Sequence, residues 1–194
     1  MITRIIDEKS VRRLKELIDD SEKILIISHT APDGDAIGSS LAAMHVLMSI
    51  GKDARVLVPD QPLANLRNLP GAKEITDACR YPDFAAKLFD ESDLVLCLDF
   101  NEPKRVDRVA PLLESCKAPK VLIDHHLHPS DFAEVSISHP EMSSTCYLLF
   151  RVLCRLELFN FIDKNAAECL LAGIMTDTGN FSYNCSDPEL YIVV

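Results

Sequence analysis

The sequence lacks the features of an exported, membrane-spanning or zinc-finger protein. Residues 1–6 contain neither a long apolar segment nor a small-residue cleavage site, so no signal peptide is visible. The longest apolar runs, near 24–27, 94–98 and 146–150, are too short to cross a bilayer. The seven cysteines form no Cys-x-x-Cys pair. These absences predict a cytoplasmic protein with reduced, mostly buried thiols.

Positive charge is scarce. The chain has 20 lysine and arginine residues against 30 aspartate and glutamate residues, which gives a formal net charge of −10. This excess of acid argues against tight, charge-driven binding of duplex DNA by this chain alone. It does not exclude a phosphate-bearing substrate, because bound divalent ions would reverse the local field. Since 47% of the residues are apolar, the 194 residues can form the core of one domain without disulfides.

Apolar patterns predict strands that alternate with helices. The predicted strands are 24–27, 54–58, 93–98 and 120–123, with 133–138 as an edge strand and a further strand beginning at 181–183. The predicted helices are 8–20, 36–49, 82–89, 103–115, 143–156 and 163–175. No repeat, low-complexity tract or interdomain linker interrupts this pattern. The sequence therefore predicts an α/β fold, a three-layer α/β/α domain with a mainly parallel central sheet.

Acidic and imidazole side chains follow three of the predicted strands. The first strand runs into His29, Asp33 and Asp35, another runs into Asp99, and a third runs into Asp124-His125-His126. A further aspartate, Asp177, lies just past the last predicted helix. Because the carboxyl ends of parallel strands share one edge of a sheet, these segments are expected to converge on one crevice. Carboxylates and imidazoles without thiolates suit Mn²⁺ or Mg²⁺, and suit Zn²⁺ or Fe²⁺ less obviously.

Taken singly, these residues also have ordinary structural interpretations. His29 alone fits a hydrogen-bonded turn histidine, and Asp33 and Asp35 fit a turn or a helix cap. The three adjacent ionisable groups at 124–126 are harder to explain, because such groups after a buried strand are costly without partners. The ordinary interpretation requires the same coincidence at four places, so a metal site is favoured.

The charge of the predicted site favours two ions over one. Four carboxylates, those of Asp33, Asp35, Asp99 and Asp177, carry four negative charges into one crevice. Without counterions they would repel one another and raise each other's pKa. Two divalent cations would neutralise this charge, whereas one would leave the site anionic and hostile to phosphate.

These segments resemble the motifs of the DHH phosphoesterase family, which is named for the Asp-His-His found here at 124–126. The first motif is similar to His29-x-x-Pro-Asp33-x-Asp35-x-x-Gly38-Ser39, the second to Asp99, and the fourth to Asp177-Thr178-Gly179. They stand in the family's order and cover nearly the whole chain. Asp99-Phe100-Asn101, Arg105 and residues 176–181 resemble the subgroup of nanoRNases and 3′-phosphoadenosine 5′-phosphate (pAp) phosphatases, which is related to RecJ-like exonucleases.

The resemblance implies roles for individual residues. One manganese site would use His29, Asp33 and Asp99, and the other would use Asp35, Asp99, His125 and Asp177, with Asp99 as the bridge. Asp124 would orient a ligating histidine, and His126 would face the substrate phosphate or its leaving group. Asn101 and Arg105 are weaker candidates for substrate contacts. The implied cofactors are two divalent ions, Mn²⁺ first and Mg²⁺ second, and the implied catalytic residues are His126, Asp99 and Asp124.

The resemblance also implies an activity. Subgroup members remove 5′-terminal nucleotides from very short RNA and dephosphorylate pAp, so the expected reaction is phosphoester hydrolysis by a hydroxide that bridges the two ions. The alternatives are cyclic-di-AMP, single-stranded DNA or pyrophosphate as substrate, or a fragment that binds metal without turnover. The expected partner is a short RNA or a phosphorylated nucleotide, with no membrane, and the sequence leaves room for a homodimer.

The family also has a C-terminal substrate-binding domain of the DHHA1 type, with a glycine-rich motif that ends in histidine. Nothing in residues 1–194 matches that motif. The apolar run 190–194 stands in mid-pattern, as it would in a chain that continues. Residues 1–194 are therefore expected to form the DHH catalytic domain alone.

Overall fold

A computed structural model describes residues 3–194 and contains one six-stranded sheet. The strands are β1 Lys23–Ile27, β2 Asp53–Val58, β3 Thr76–Asp77, β4 Leu94–Leu98, β5 Lys120–Asp124 and β6 Val135–Ser138. They lie in the order β3-β2-β1-β4-β5-β6, and every neighbouring pair is parallel. The predicted α/β fold with a parallel sheet is thus confirmed, and β6 forms one edge of the sheet as expected.

Within residues 3–194, seven α-helices pack around this sheet. They are α1 Glu8–Asp20, α2 Gly34–Ser49, α3 Pro82–Glu91, α4 Ala110–Ser115, α5 Thr145–Arg155, α6 Lys164–Asp177 and α7 Leu190–Val193. Short 3₁₀ helices cover Leu66–Asn68, Ala72–Glu74, Pro103–Val109 and Phe159–Phe161. Among the described residues, no helix combines the length and the apolarity needed to cross a bilayer.

Alternate residues of each strand supply the cores on the two faces of the sheet. On one face, Ile24 and Ile26 of β1 pack with apolar side chains of α1, α2, α5 and α6. On the other face, Leu25 and Ile27 pack with α3, α4 and the 3₁₀ segment before α4. This period-two division between two helix-covered faces is typical of a parallel sheet, and it gives three layers.

The order of the strands places a crevice between β1 and β4. From β1 the chain builds β2 and β3 on one side, and it then crosses to β4, β5 and β6 on the other side. At this switch point the connections that leave β1 and β4 run in opposite directions, which opens a crevice at the carboxyl ends of the two strands. His29 and Asp99 follow these two strands, so the fold brings them to the same place.

The prediction of a strand at 181–183 was wrong. Gly179, Asn180 and Phe181 all have positive φ, at 53°, 55° and 64°, which ends helix α6 in a tight left-handed turn. The amides of Ser182 and Tyr183 both donate to the carbonyl of Thr178, at 2.8 and 3.1 Å. These bonds fold the segment back onto the end of α6, so it cannot extend along the sheet.

The predicted helix 103–115 is divided in two. Its first part is the 3₁₀ segment Pro103–Val109, and only Ala110–Ser115 is α-helical. The break lies at Asp107, where φ is 43° and ψ is −117°, a conformation outside any helix. The sequence also gave no signal for β3, because its two residues are too few to show a period.

Candidate metal centre

The predicted ligands converge around Asp99, which follows β4 directly and is almost fully buried. Its φ of 64° is a left-handed conformation, which Asp tolerates better than most residues. Asp99 Oδ2 lies 3.5 Å from His29 Nε2, and Asp99 Oδ1 lies 3.6 Å from His125 Nε2. The two oxygens therefore face two different histidines, as a carboxylate shared by two ions would.

His29, Asp33 and Asp99 form the first group. The Nε2 atom of His29 lies 3.9 Å from Asp33 Oδ1. The Nδ1 atom of His29 lies 2.7 Å from the carbonyl of Thr30, and a hydrogen bond there leaves Nε2 for an ion. Asp33 Oδ1 also accepts the amides of Asp35 and Ala36, both at 3.0 Å, and so caps α2. The cap fixes the direction of the Asp33 carboxylate.

Asp35, His125 and Asp177 form the second group. His125 Nε2 lies 3.2 Å from Asp177 Oδ2 and 3.8 Å from Asp35 Oδ2. Its Nδ1 lies 3.2 Å from the carbonyl of Met142, so that Nε2 again faces the carboxylates. Within each group the ligand atoms all lie within 4.8 Å of one another, a spacing that one ion could fill. The structure thus brings together all six residues predicted as metal ligands.

Close packing of α2 against α6 brings Asp35 and Asp177 together. A Cβ atom at Gly38 would lie 2.5 Å from the carbonyl oxygen of Cys169, and one at Gly34 would lie 2.4 Å from Thr176 Oγ1. The absent side chains let α2 approach α6 closely, against a backbone carbonyl at Gly38 and against the Thr176 side chain at Gly34. Because Asp35 is in the first turn of α2 and Asp177 ends α6, this contact places both carboxylates beside His125.

The N-terminus of α5 also holds the site, and the sequence did not reveal it. The amides of Thr145 and Cys146 donate to the two oxygens of Asp35, at 2.6 and 2.8 Å. The Thr145 hydroxyl donates to Asp99 Oδ1 at 2.8 Å. One residue thus contacts a carboxylate from each group. The only sequence signal was the predicted helix 143–156. Ser144 caps α5, but neither the helix nor its cap indicates which side chains the N-terminus of α5 will contact.

The electrostatics of these residues fit divalent cations. Burial raises the pKa of Asp35 well above its usual range, and the charges of Asp99 and Asp177 add to that effect. Burial tends to lower the pKa of His125, but Asp177, Asp99 and Asp35 outweigh it and raise the value to about 9. The crowded, buried carboxylates repel one another and raise the pKa values of their neighbours. Bound cations would neutralise these negative charges. Oxygen and imidazole donors without thiolates suit Mn²⁺ or Mg²⁺.

Metal affinity is expected to rise with pH. His125 has a pKa of about 9 in the ion-free protein, so at neutral pH an ion must displace its proton before Nε2 can bind. The association constant for Mn²⁺, measured by calorimetry, should therefore increase at least about tenfold per unit between about pH 6 and about pH 8. His139→Gln should leave this slope unchanged, because His139 contacts Glu141 instead. A flat profile would contradict the prediction.

His126 and Asp124 form a pair beside the ligands, and His126 also belongs to a third group, with Asp99 and His125, whose donor atoms lie within 4.8 Å of one another. Asp124 Oδ1 lies 2.7 Å from His126 Nδ1, and Asp124 Oδ2 accepts the amide of His126 at 3.1 Å. The resemblance implied that Asp124 orients a ligating histidine, whereas the structure places it against His126. Donation from Nδ1 to Asp124 leaves His126 Nε2 for a substrate oxygen. About a third of the His126 side chain is exposed, so the ring is open to solvent.

The two weaker substrate candidates occupy different places. The Asn101 side chain donates to the carbonyl of Leu127 at 2.8 Å, and it thereby holds the loop that follows His126. The carbonyl of Arg105 accepts the amide of Thr30 at 2.9 Å, so Arg105 lies beside the loop that follows β1 and carries His29. The Arg105 Nε is buried and has no hydrogen-bond partner within the described chain. Asn101 is thus already engaged, while Arg105 keeps a free donor.

Thr145→Val should weaken Mn²⁺ binding by about 10–100-fold, the usual cost of losing a group that orients a ligand. Valine has the shape of threonine and keeps the backbone amide on Asp35, so only the hydroxyl bond to Asp99 is lost. Thr145→Ser restores that hydroxyl and should restore the affinity, as measured by calorimetry or by electron paramagnetic resonance of Mn²⁺. Equal affinities for the valine and serine variants would show that the Thr145 hydroxyl does not contribute to Mn²⁺ binding by orienting Asp99.

Comparison with known proteins gives one family match and several relatives. The family model described as "DHH family, N-terminal domain" matches residues 23–174. The chain is 35% identical over 167 residues to the bifunctional oligoribonuclease and PAP phosphatase NrnA of Thermus thermophilus, covering 86% of this chain and 47% of that protein. It is 29% identical over 177 residues to the cyclic-di-AMP phosphodiesterase GdpP of Geobacillus thermodenitrificans, covering 87% and 27%. The chain thus spans half or less of these relatives.

Two solved structures share the fold. An exopolyphosphatase-related protein from Bacteroides fragilis superposes with a TM-score of 0.98 at 44% identity, over 99% of this chain and 56% of that one. The exonuclease RecJ bound to manganese superposes with a TM-score of 0.59 at 14% identity, over 95% and 47%. At 14% identity the second likeness concerns the fold alone.

Proposed function

The chain belongs to the DHH family, and from this premise we propose that it hydrolyses short oligoribonucleotides, pAp, or both, with two Mn²⁺ ions. Its class is that of a hydrolase acting on phosphoester bonds, since the named relatives are phosphatases and phosphodiesterases. The RNA and pAp substrates are favoured because the 35% identical relative carries both activities in its name. Action in the cytoplasm is also proposed, because all seven cysteines are free thiols.

One observation carries the proposal of two ions. The carboxylate of Asp99 lies between the two ligand groups, with Oδ2 toward His29 and Oδ1 toward His125. A site for one ion would not need a second complete set of donors on the far side of the same carboxylate. When bound, the ions supply Lewis acidity toward phosphoryl oxygens and a nucleophile at neutral pH.

The chain's own residues complete the chemistry. His126, held by Asp124 through Nδ1, would present Nε2 to the leaving oxygen and donate a proton or a hydrogen bond there. The amides of α5 hold the Asp35 carboxylate in one orientation, and Thr145 does the same for Asp99. Such preorganisation keeps the ligands from rearranging during the reaction.

Cyclic-di-AMP is the second candidate substrate. Two cyclic-di-AMP phosphodiesterases, from Geobacillus thermodenitrificans and Bacillus subtilis, are 29% and 28% identical to the chain. The metal ligands do not distinguish a cyclic dinucleotide from a linear one, because both contain a phosphodiester bond. The substrate must therefore be decided by other surfaces.

A parallel assay would decide among these substrates. We expect hydrolysis of bis-p-nitrophenyl phosphate with Mn²⁺, and higher kcat/KM for pAp and a 3-mer RNA than for cyclic-di-AMP or pyrophosphate. The same assay with Mg²⁺ would test the choice of metal. If no phosphoester were hydrolysed with either ion, the enzyme proposal would be wrong. Faster turnover of cyclic-di-AMP would replace the first substrate class with the second.

A further inference from the structure

A cavity of about 270 Å³ lies next to β3, apart from the metal ligands. Its walls come from the loop after β2, the 3₁₀ helices before β3 and the start of α3. The volume is close to the lower end of the range for small-molecule pockets, about 300 Å³. The charged side chains that line it are Arg67, Lys73, Asp77 and Arg80.

The cavity is locally positive in a strongly acidic chain. Three of its four charged side chains are cationic, whereas the whole chain has a net charge of −10. Its one carboxylate, Asp77, already accepts the amides of Cys79 and Arg80, at 2.9 and 3.2 Å. Within residues 3–194, Arg67, Lys73 and Arg80 make no ion pair. Arg67 donates its Nε to the carbonyl of Pro62 at 3.1 Å, but the three positive charges have no carboxylate partner and so remain available to an anion.

Tyr81 adds an aromatic face to the lining. About half of its surface is exposed, and the guanidinium of Arg80 lies 5.2 Å from the centre of its ring. An aromatic ring among cations is the combination that binds single-stranded nucleic acid, because bases stack on the ring while phosphates meet the charges.

One loop joins this cavity to the metal centre. Gln61 and Pro62 line the cavity, and Asp60 precedes them. The carboxylate of Asp60 accepts the hydroxyl of Thr30 and, at 3.0 Å, the amide of Ala31. Thr30 directly follows the predicted ligand His29. The loop that begins at Asp60 therefore contacts the His29 loop through Asp60 and forms part of the cavity wall through Gln61 and Pro62.

We propose that this cavity binds the nucleotides of a single-stranded oligonucleotide that lie away from the scissile bond. The proposal rests on the proposed function, since it assumes a nucleic-acid substrate at the metal centre. Arg67, Lys73 and Arg80 contact backbone phosphates, and Tyr81 stacks on a base. On this proposal the cavity favours oligonucleotides over a mononucleotide such as pAp, and so selects for chain length.

The test compares substrates of different length in the full chain. The triple variant R67Q/K73Q/R80Q should bind a fluorescein-labelled 5-mer RNA about tenfold more weakly in fluorescence anisotropy, the loss expected for one base with its phosphate contacts. For the wild type, KM should fall from a 2-mer to a 5-mer RNA, and the variant should lose this dependence. Tyr81→Ala should share the defect, and Tyr81→Phe should not.

Two controls separate the cavity from the catalytic site and from bulk charge. Turnover of bis-p-nitrophenyl phosphate should be the same in wild type and triple variant, because none of the three substituted residues belongs to a ligand group. K9Q/R12Q/K117Q removes the same charge from exposed side chains elsewhere and should keep the length dependence. If the triple variant kept it too, the cavity proposal would fail while the proposed function stood. If the wild type hydrolysed no phosphoester, both would fail.

Discussion

Asp99→Asn is expected to lower kcat for Mn²⁺-dependent hydrolysis of bis-p-nitrophenyl phosphate by at least about 10³-fold. The substitution removes one charge and one of the two oxygens that face His29 and His125. Asn adopts the left-handed conformation of this position, where φ is 64°, as readily as Asp does. The backbone should therefore stay in place, and the loss should reflect the shared carboxylate alone.

Metal stoichiometry gives the second measurement for this variant. We expect two Mn²⁺ per chain in the wild type and fewer than two in Asp99→Asn, with loss of any magnetic coupling between the ions. Asp90→Asn, an exposed site on α3, is the matched control and should keep both activity and stoichiometry. Near wild-type turnover by Asp99→Asn would show that the site does not depend on a bridge at this position.

The elements with the strongest periodicity were predicted to within about two residues. Helix α1 was predicted at 8–20 and begins and ends there, because its four apolar residues recur at helical spacing. The continuous branched runs of β1 and β4 indicated buried parallel strands, and both lie in the middle of the sheet. In these segments a single local signal decides the conformation.

The errors fall where local signals are weak or where tertiary contacts decide. The segment 181–183 alternates like a strand, yet the left-handed turn after α6 prevents extension. Asp107 breaks a helix that contains no glycine at the break. In both places the backbone adopts positive φ at residues other than glycine, and composition does not reveal such positions.

Five of the six predicted metal ligands could be brought together from the sequence because they follow strands, and parallel strands end at a common edge. The sixth, Asp177, ends helix α6 instead. Thr145 could not be placed from the sequence, since it lies at the start of α5 and contacts Asp35 and Asp99 only through the packing of helices on the sheet. The partner of Asp124 could not be predicted from the sequence either. Spacing alone does not indicate whether the carboxylate will bond His125 or His126, and in the structure it bonds His126. Residues that position ligands act through side-chain geometry, which periodicity does not encode.

Gly173→Ala is expected to destabilise the protein by about 2 kcal/mol and to weaken Mn²⁺ binding by the second ligand group. In an unconstrained helix this change would stabilise α6 by about 1 kcal/mol. Here the new Cβ would lie 2.2 Å from Cys146 Sγ and 2.9 Å from Asp35 Oδ1, and overpacking of this kind costs about 1–3 kcal/mol or more. The steric cost should exceed the gain in helix propensity, and the melting temperature should fall by roughly 6 °C.

Adding Cys146→Ala to Gly173→Ala separates the two effects. The second change removes the sulfur that lies nearest to the new methyl group, so part of the lost stability should return. The contact with Asp35 Oδ1 remains, and the carboxylate must still turn away from the amides of Thr145 and Cys146. We therefore expect thermal melts to show partial rescue while Mn²⁺ titrations still show weakened binding. Recovery of both together would mean that the sulfur contact alone disturbs the site, and that Gly173 has no direct part in holding Asp35.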